Sequence, residues 1–289
     1  MIKILKALSR LGRESAFLFS FVFQSCLLHA QNTEELYAST RDTLLDRFKH
    51  IQEHPRLSEE VNADNDKIVA SLESFLKQKD AFEFRFELGK NMSDMVSPDK
   101  KMRIISWTLP PSFSVYRCYG FVLYKNSKTK TTTVFKLKAA EEKSENAEHK
   151  SFNYTNWQSC VYYNLLQRKS KGKTYYTLLG WNGNDGITTK KLIDVLTFSG
   201  KGEPVFGAPV FQMKKQKWFR IIFEYNPQAV MYLNYDEQKK MIVFDHLAPN
   251  DPINTGRFQY YGPDFSIDGL RYKKGMWQLV EDVDAKNKK

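Results

Sequence analysis

Two side chains that can carry protons stand next to each other at Asp245 and His246. A carboxylate that orients an imidazole is a common device for acid–base work. In a β-strand, however, neighbouring side chains point to opposite faces, so the pair needs a bend to cooperate. His50 and His54 stand four apart at a predicted helix end, a spacing that can grip a metal. No Glu lies between them to act as a base, and Pro55 follows at once, so neither a metal nor any other cofactor is expected. The densest polar turn is Trp181-Asn182-Gly183-Asn184-Asp185-Gly186. Asn-Gly and Asp-Gly suit a tight turn. Oxygen ligands beside a Trp would also suit a sugar or Ca²⁺, although the spacing is not that of an EF-hand loop. Asp264, Asp268, Asp282 and Asp284 add carboxylates near the C-terminus. Paired carboxylates such as Asp185, Glu224 or Asp264 could cleave a glycoside at the right separation. The strong catalytic signatures are missing: there is no G-x-S-x-G, no H-E-x-x-H, no phosphate-binding G-x-x-x-x-G-K-[ST] and no C-x-x-C. The binding candidates are therefore Trp181, Asn182, Asn184, Asp185, Asp245, His246 and Asp264, with no catalytic residue assigned.

The elements that must hold these residues begin after an export signal. Lys3, Lys6, Arg10 and Arg13 precede an apolar run over 16–28, and His29-Ala30-Gln31 follows. This is the layout of a secretory signal peptide over 1–30, cut between Ala30 and Gln31. The apolar run is shorter than the roughly 20 residues a membrane span needs. A competing reading makes Cys26 a lipidated N-terminus, but Phe23-Gln24-Ser25 fits a lipobox poorly. The expected location is periplasmic or secreted. The full chain has 289 residues, 44 Lys+Arg and 33 Asp+Glu, for a net charge of +11. Losing residues 1–30 removes three positive charges and leaves 259 residues at +8. Cys118 and Cys160 then remain as a possible disulfide in an oxidising compartment.

An aromatic content of 14% excludes a disordered chain. Two amphipathic helices are expected over 34–51 and 64–79, the second capped by Asn62 or Asp64. They form a helical segment over 31–80. The period then switches to two: Phe82, Phe84, Phe86 and Leu88 alternate with charged residues, as in a half-buried strand. Further strands are expected over 102–108, 115–125, 131–138, 159–168, 174–181, 219–225, 229–235, 241–245 and 276–280. A short helix is expected over 188–196, with loops over 140–156 and 248–262. The fold class is α+β, mostly β: a helical pair packed on a large antiparallel region over 81–289, either a sandwich or curved sheets. The lysines fall mainly in turns (Lys169, Lys171, Lys173, Lys239, Lys240, Lys273, Lys274), where they are solvated and discourage edge pairing. Nucleic acid is not an expected partner. An envelope protein or an anionic glycan is.

Ser97-Pro98-Asp99-Lys100-Lys101 is similar to the S-P-D-[GK]-K opening of a β-propeller blade strand, and Gly262-Pro263-Asp264-Phe265 echoes it. A propeller needs a repeat of 40–50 residues, and no intermediate copies occur, so a small propeller ranks second. With Gly180-Trp181-Asn182-Gly183-Asn184-Asp185, Phe223-Glu224-Tyr225, Phe244-Asp245-His246-Leu247 and Trp277…Asp282-Val283-Asp284-Ala285, the chain resembles a group of exported proteins of Bacteroidetes-type Gram-negative bacteria that has no known activity. The resemblance implies export and supplies no reaction. The expectation is thus a non-enzymatic envelope protein, with a carboxylate-based polysaccharide hydrolase as the alternative.

Overall fold

The computed structural model describes residues 31–283, except 91, 113–114, 128, 141–143 and 214–215. The export signal, Cys26 and Ala30 lie outside the described residues, as does Asp284. Gln31 opens the first described helix.

Helix α1 covers 31–52 and helix α2 covers Glu59–Leu76. The second starts earlier than its apolar stripe implies. Ser58, rather than Asn62 or Asp64, is the cap, its Oγ accepting from Val61 N at 3.2 Å. Asp64 and Asn65 sit inside the helix and are buried. A side-chain cap of this kind contributes about 1 kcal/mol.

Among the described residues sixteen strands follow, in three sheets. The first sheet runs in simple order: β1 (Met92–Val96), β2 (Met102–Thr108), β3 (Cys118–Lys125) and β4 (Thr132–Lys136). The second holds β5 (Phe152–Asn153), β6 (Val161–Ser170), β7 (Lys173–Asn182), β8 (Thr189–Phe198) and β9 (Pro204–Phe206), in the order β5-β9-β8-β7-β6. The third combines β10 (Phe211–Met213), β11 (Gln216–Trp218), β13 (Leu233–Asp236), β14 (Met241–Pro249), β15 (Tyr261–Lys273) and β16 (Met276–Val280). Between them in sequence, β12 (Ile221–Tyr225) pairs with the first half of β8.

Alternation along the strands stacks these elements as layers. In the first sheet Ile105, Phe121 and Leu123 face the helices, whereas Ile104 and Val122 face the second sheet. In the second sheet Leu178, Leu192 and Leu196 face the first, whereas Leu179, Ile193 and Val195 face the third. The result is helices, then three sheets face to face, with no closed barrel. The helices share no core cluster with the third sheet, so the row does not close as a propeller would. One buried hydrogen bond ties each layer to the next. Trp107 Nε1 donates to Asn65 Oδ1 (2.9 Å), Tyr162 N to Ser106 Oγ (3.0 Å), and Trp277 Nε1 to Thr177 Oγ1 (3.0 Å). The fold is α+β and mostly β, as composition and periodicity imply.

Several elements differ from expectation, each for a physical reason. The segment 82–88 is no strand: Ala81–Glu83 is a 3₁₀ turn and 84–88 joins no ladder. Its alternation is real, since Phe82, Phe86 and Leu88 are buried in the helix-side core. Its backbone groups go to side chains instead. Phe86 N donates to Asp94 Oδ2 (2.7 Å), and Arg85 O accepts from the Tyr37 hydroxyl (2.7 Å). The expected helix over 188–196 is strand β8. From Leu192 to Thr197 this strand is buried on both faces, Asp194 included, so it lacks the polar alternation that marks a half-buried strand. Strands β1, β5, β9, β10, β11 and β15 were not anticipated, and β5 falls within the expected loop over 140–156. The expected loop over 248–262 is shortened by β14 and β15 and holds two 3₁₀ turns, Pro252–Asn254 and Phe258–Tyr260. Strands expected from 115 and 229 begin at Cys118 and Leu233.

Candidate functional site

The ends of β8 and β12, the β7–β8 loop and the segment 227–231 enclose an open cleft of about 530 Å³. Tyr116, Trp181 and Tyr225 supply its aromatic wall, and Lys191 its charge. The register explains the meeting: Tyr225 pairs with Thr189, and Trp181 with Lys191. Tyr116 comes from the chain just before β3 and is held by its own N–H, which donates to Asn184 O at 2.9 Å. Its ring stands edge-on to Trp181, centroids 5.6 Å apart.

The polar loop satisfies many of its own polar groups. Asn182 Oδ1 accepts from Asn184 N (2.6 Å), while Asn182 Nδ2 donates to Ser159 O (2.5 Å). Asn184 takes the left-handed φ of 55° that Asn tolerates better than most residues. Its Nδ2 donates to Thr188 Oγ1 (2.6 Å). Asp185 Oδ1 accepts from Ile187 N (3.1 Å) and Thr188 N (3.0 Å). Thr188 Oγ1 in turn donates to Glu224 Oε1 (2.6 Å) and lies 3.4 Å from Asp185 Oδ1. Two carboxylates therefore flank one hydroxyl, and Glu224 is also paired with Lys190 at 3.3 Å.

Lys191 Nζ gives one hydrogen bond to Met231 O (2.6 Å) and lies 5.7 Å from the centre of the Tyr163 ring. Burial lowers its pKa, and nearby Asp245 opposes that shift. Burial also pushes the Tyr225 hydroxyl up to about 12. At neutral pH Tyr225 is thus an uncharged hydroxyl, while an ammonium keeps two further donors for a ligand.

The sequence candidates separate into two places. Trp181 lines the cleft, while Asn182, Asn184 and Asp185 belong to the loop that brings Gly183 and Gly186 to its wall. Asp245 flanks it, accepting from Tyr232 N (2.7 Å). His246 and Asp264 lie where β14 and β15 lose register, between the pairs Asp245↔Ile267 and Leu247↔Pro263. Asp245 and His246 make no dyad. His246 Nδ1 instead meets Asp268 Oδ2 at 2.8 Å. That bond raises the imidazole pKa, against the lowering effect of burial. Asp264 Oδ1 accepts from Ser266 N and Oγ (3.0 and 2.7 Å), closing a tight turn that leaves Phe265 99% exposed. Cys118 and Cys160 are buried and unbridged. Burial pushes the Cys118 thiol up to about 11. Tyr116, Lys191 and Tyr225 escaped sequence reading. The one available signal was the lysine pair before an apolar run, and reading 188–196 as a helix hid it.

Three metal-ligating side chains also gather away from the cleft, His50, His54 and Glu60 at the α1–α2 turn. Among the described residues no helix is long and apolar enough to cross a membrane. No protein-family model, curated protein or solved structure matches the chain.

Proposed function

We propose that the chain is an exported envelope protein that binds an anionic glycan in the Trp181 cleft and does not cleave it. The observation that carries this reading is an aromatic wall of Trp181, Tyr116 and Tyr225 facing one ammonium, Lys191. Apolar ring faces with a few fixed polar groups are the usual make-up of a ligand pocket. Sugar rings would lie on the aromatic faces and an acidic substituent would meet Lys191.

The hydrolase reading rests on Asp185 and Glu224 meeting at Thr188 Oγ1. Against it, both carboxylates already hold intramolecular donors: two loop amides on Asp185 and the Lys190 ammonium on Glu224. Tryptophan fluorescence titration of the mature chain tests the proposal, using an alginate hexasaccharide beside neutral cellohexaose. Saturable quenching by alginate that weakens at least tenfold in Lys191→Met and is lost in Trp181→Ala is expected. No saturable change with alginate would overturn the reading, and shorter products on chromatography would favour the hydrolase.

A further inference from the structure

The turn between α1 and α2 folds Glu60 back onto the end of α1. His50 lies in the last turn of α1 and His54 just beyond its end, with ring centres separated by 4.6 Å. Glu60 stands in the first turn of α2, its Oε2 3.2 Å from His54 Nε2. One ligand atom from each of the three residues falls within 4.8 Å of the others.

Hydrogen bonding decides which nitrogens a metal could use. His54 Nδ1 is 2.9 Å from the His50 carbonyl oxygen. A carbonyl only accepts, so Nδ1 carries a hydrogen; Nε2 faces the Glu60 carboxylate, and an ion bound between them would replace the proton shared there. His50 Nδ1 meets Asp64 Oδ2. Asp64 is 3% exposed. Its Oδ1 is ion-paired with Arg47 Nη1 at 3.1 Å. An ionised carboxylate also only accepts, so His50 donates from Nδ1 and its Nε2 is free. Metal-binding histidines show this pattern: the other ring N–H donates to a carboxylate or a backbone carbonyl. Both variants occur here side by side.

We infer that His50 Nε2, His54 Nε2 and the Glu60 carboxylate bind a divalent transition metal of the Zn²⁺ class, with Asp64 orienting His50. Two imidazoles and a carboxylate match Zn²⁺ with a fourth position open to water. Glu60 is exposed and both rings are partly so, which gives an ion a path from solvent. A bound ion clips the end of α1 to the start of α2. A recess of about 320 Å³ beside His54 shares Pro111 and Tyr116 with the glycan cleft.

Calorimetric titration of the tag-free, chelator-stripped chain with Zn²⁺, alongside elemental analysis and thermal unfolding, tests the site. One Zn²⁺ per chain is expected, with a melting temperature that climbs with metal concentration. His54→Ala and the surface change Glu60→Gln each weaken binding at least tenfold, and Asp64→Asn weakens it 10–100-fold. Glu60 is exposed, so its variant folds normally and the comparison stays clean. Failure of the wild-type chain to take up Zn²⁺ overturns the inference. Unchanged affinity in both Glu60→Gln and His54→Ala overturns it as well.

Discussion

The Tyr116 ring fills the space where residue 183 would carry a side chain: a Cβ on Gly183 would lie 2.3 Å from Tyr116 Cδ2. The glycine is needed for close approach, and the approach sets the edge contact between Tyr116 and Trp181. Gly183→Ala is expected to expel the Tyr116 ring and cost about 1–3 kcal/mol, as overpacking does. Denaturant titration measures the stability loss. A changed Trp181 emission and at least tenfold weaker alginate binding report the cleft.

Asp94 and Arg103 form a fully buried ion pair, with Arg103 Nε at 2.8 Å and Nη2 at 2.6 Å from the two carboxylate oxygens. Asp94→Ala leaves a buried cation unpaired and also orphans Phe86 N. A loss of about 3–5 kcal/mol is expected by urea unfolding. Replacing both residues with apolar ones of similar volume should recover much of it.

His246 should titrate above the ordinary histidine value near 6.5, because Asp268 favours the charged ring. Its contribution to stability is complete below that ordinary value and fades as pH rises through the raised one. The ring is half exposed, so the effect stays below about 1 kcal/mol. NMR titration should show the pKa falling in Asp268→Asn. An unchanged value in that variant would contradict the pairing.

Cys118 and Cys160 should resist thiol reagents in the native chain, since the thiolate is the reactive form and burial suppresses it. Alkylation under denaturing, non-reducing conditions should then label both. Mass spectrometry showing neither labelled would mean that they are bridged after all.

What the sequence disclosed depended on how many faces of an element are covered. The helices cover a core on one side only, so Leu44, Phe48, Ile68 and Leu72 trace a readable stripe. Strands β2 and β16 were legible to the residue. Strand β8 was not, because Leu192 through Thr197 are all buried and no polar face remains to mark its period. Segment 82–88 shows the converse, with perfect alternation and no ladder, since Asp94 and Tyr37 take its hydrogen bonds. At the cleft, Trp181 and its Asn-Gly-Asn-Asp turn were local and visible. Tyr116 and Tyr225 belong to distant stretches that only strand register unites. Glu60 was invisible for the same reason: spacing along α1 cannot show that the chain doubles back after Pro55.

The layers appear in nearly the order in which the chain is written, and that has a kinetic meaning. Helices and first sheet involve residues before 137, the second sheet mostly 152–206, so most closures are short and lose little chain entropy. The exception is the hairpin of β10 and β11. It is written before β12 yet belongs to the third sheet, where Phe211 pairs in parallel with Trp277. That hairpin has no place in the sheet until almost the whole chain has emerged. Its docking on β16 is therefore the natural last step of assembly, and a chain cut short before residue 276 would leave Phe211 uncovered.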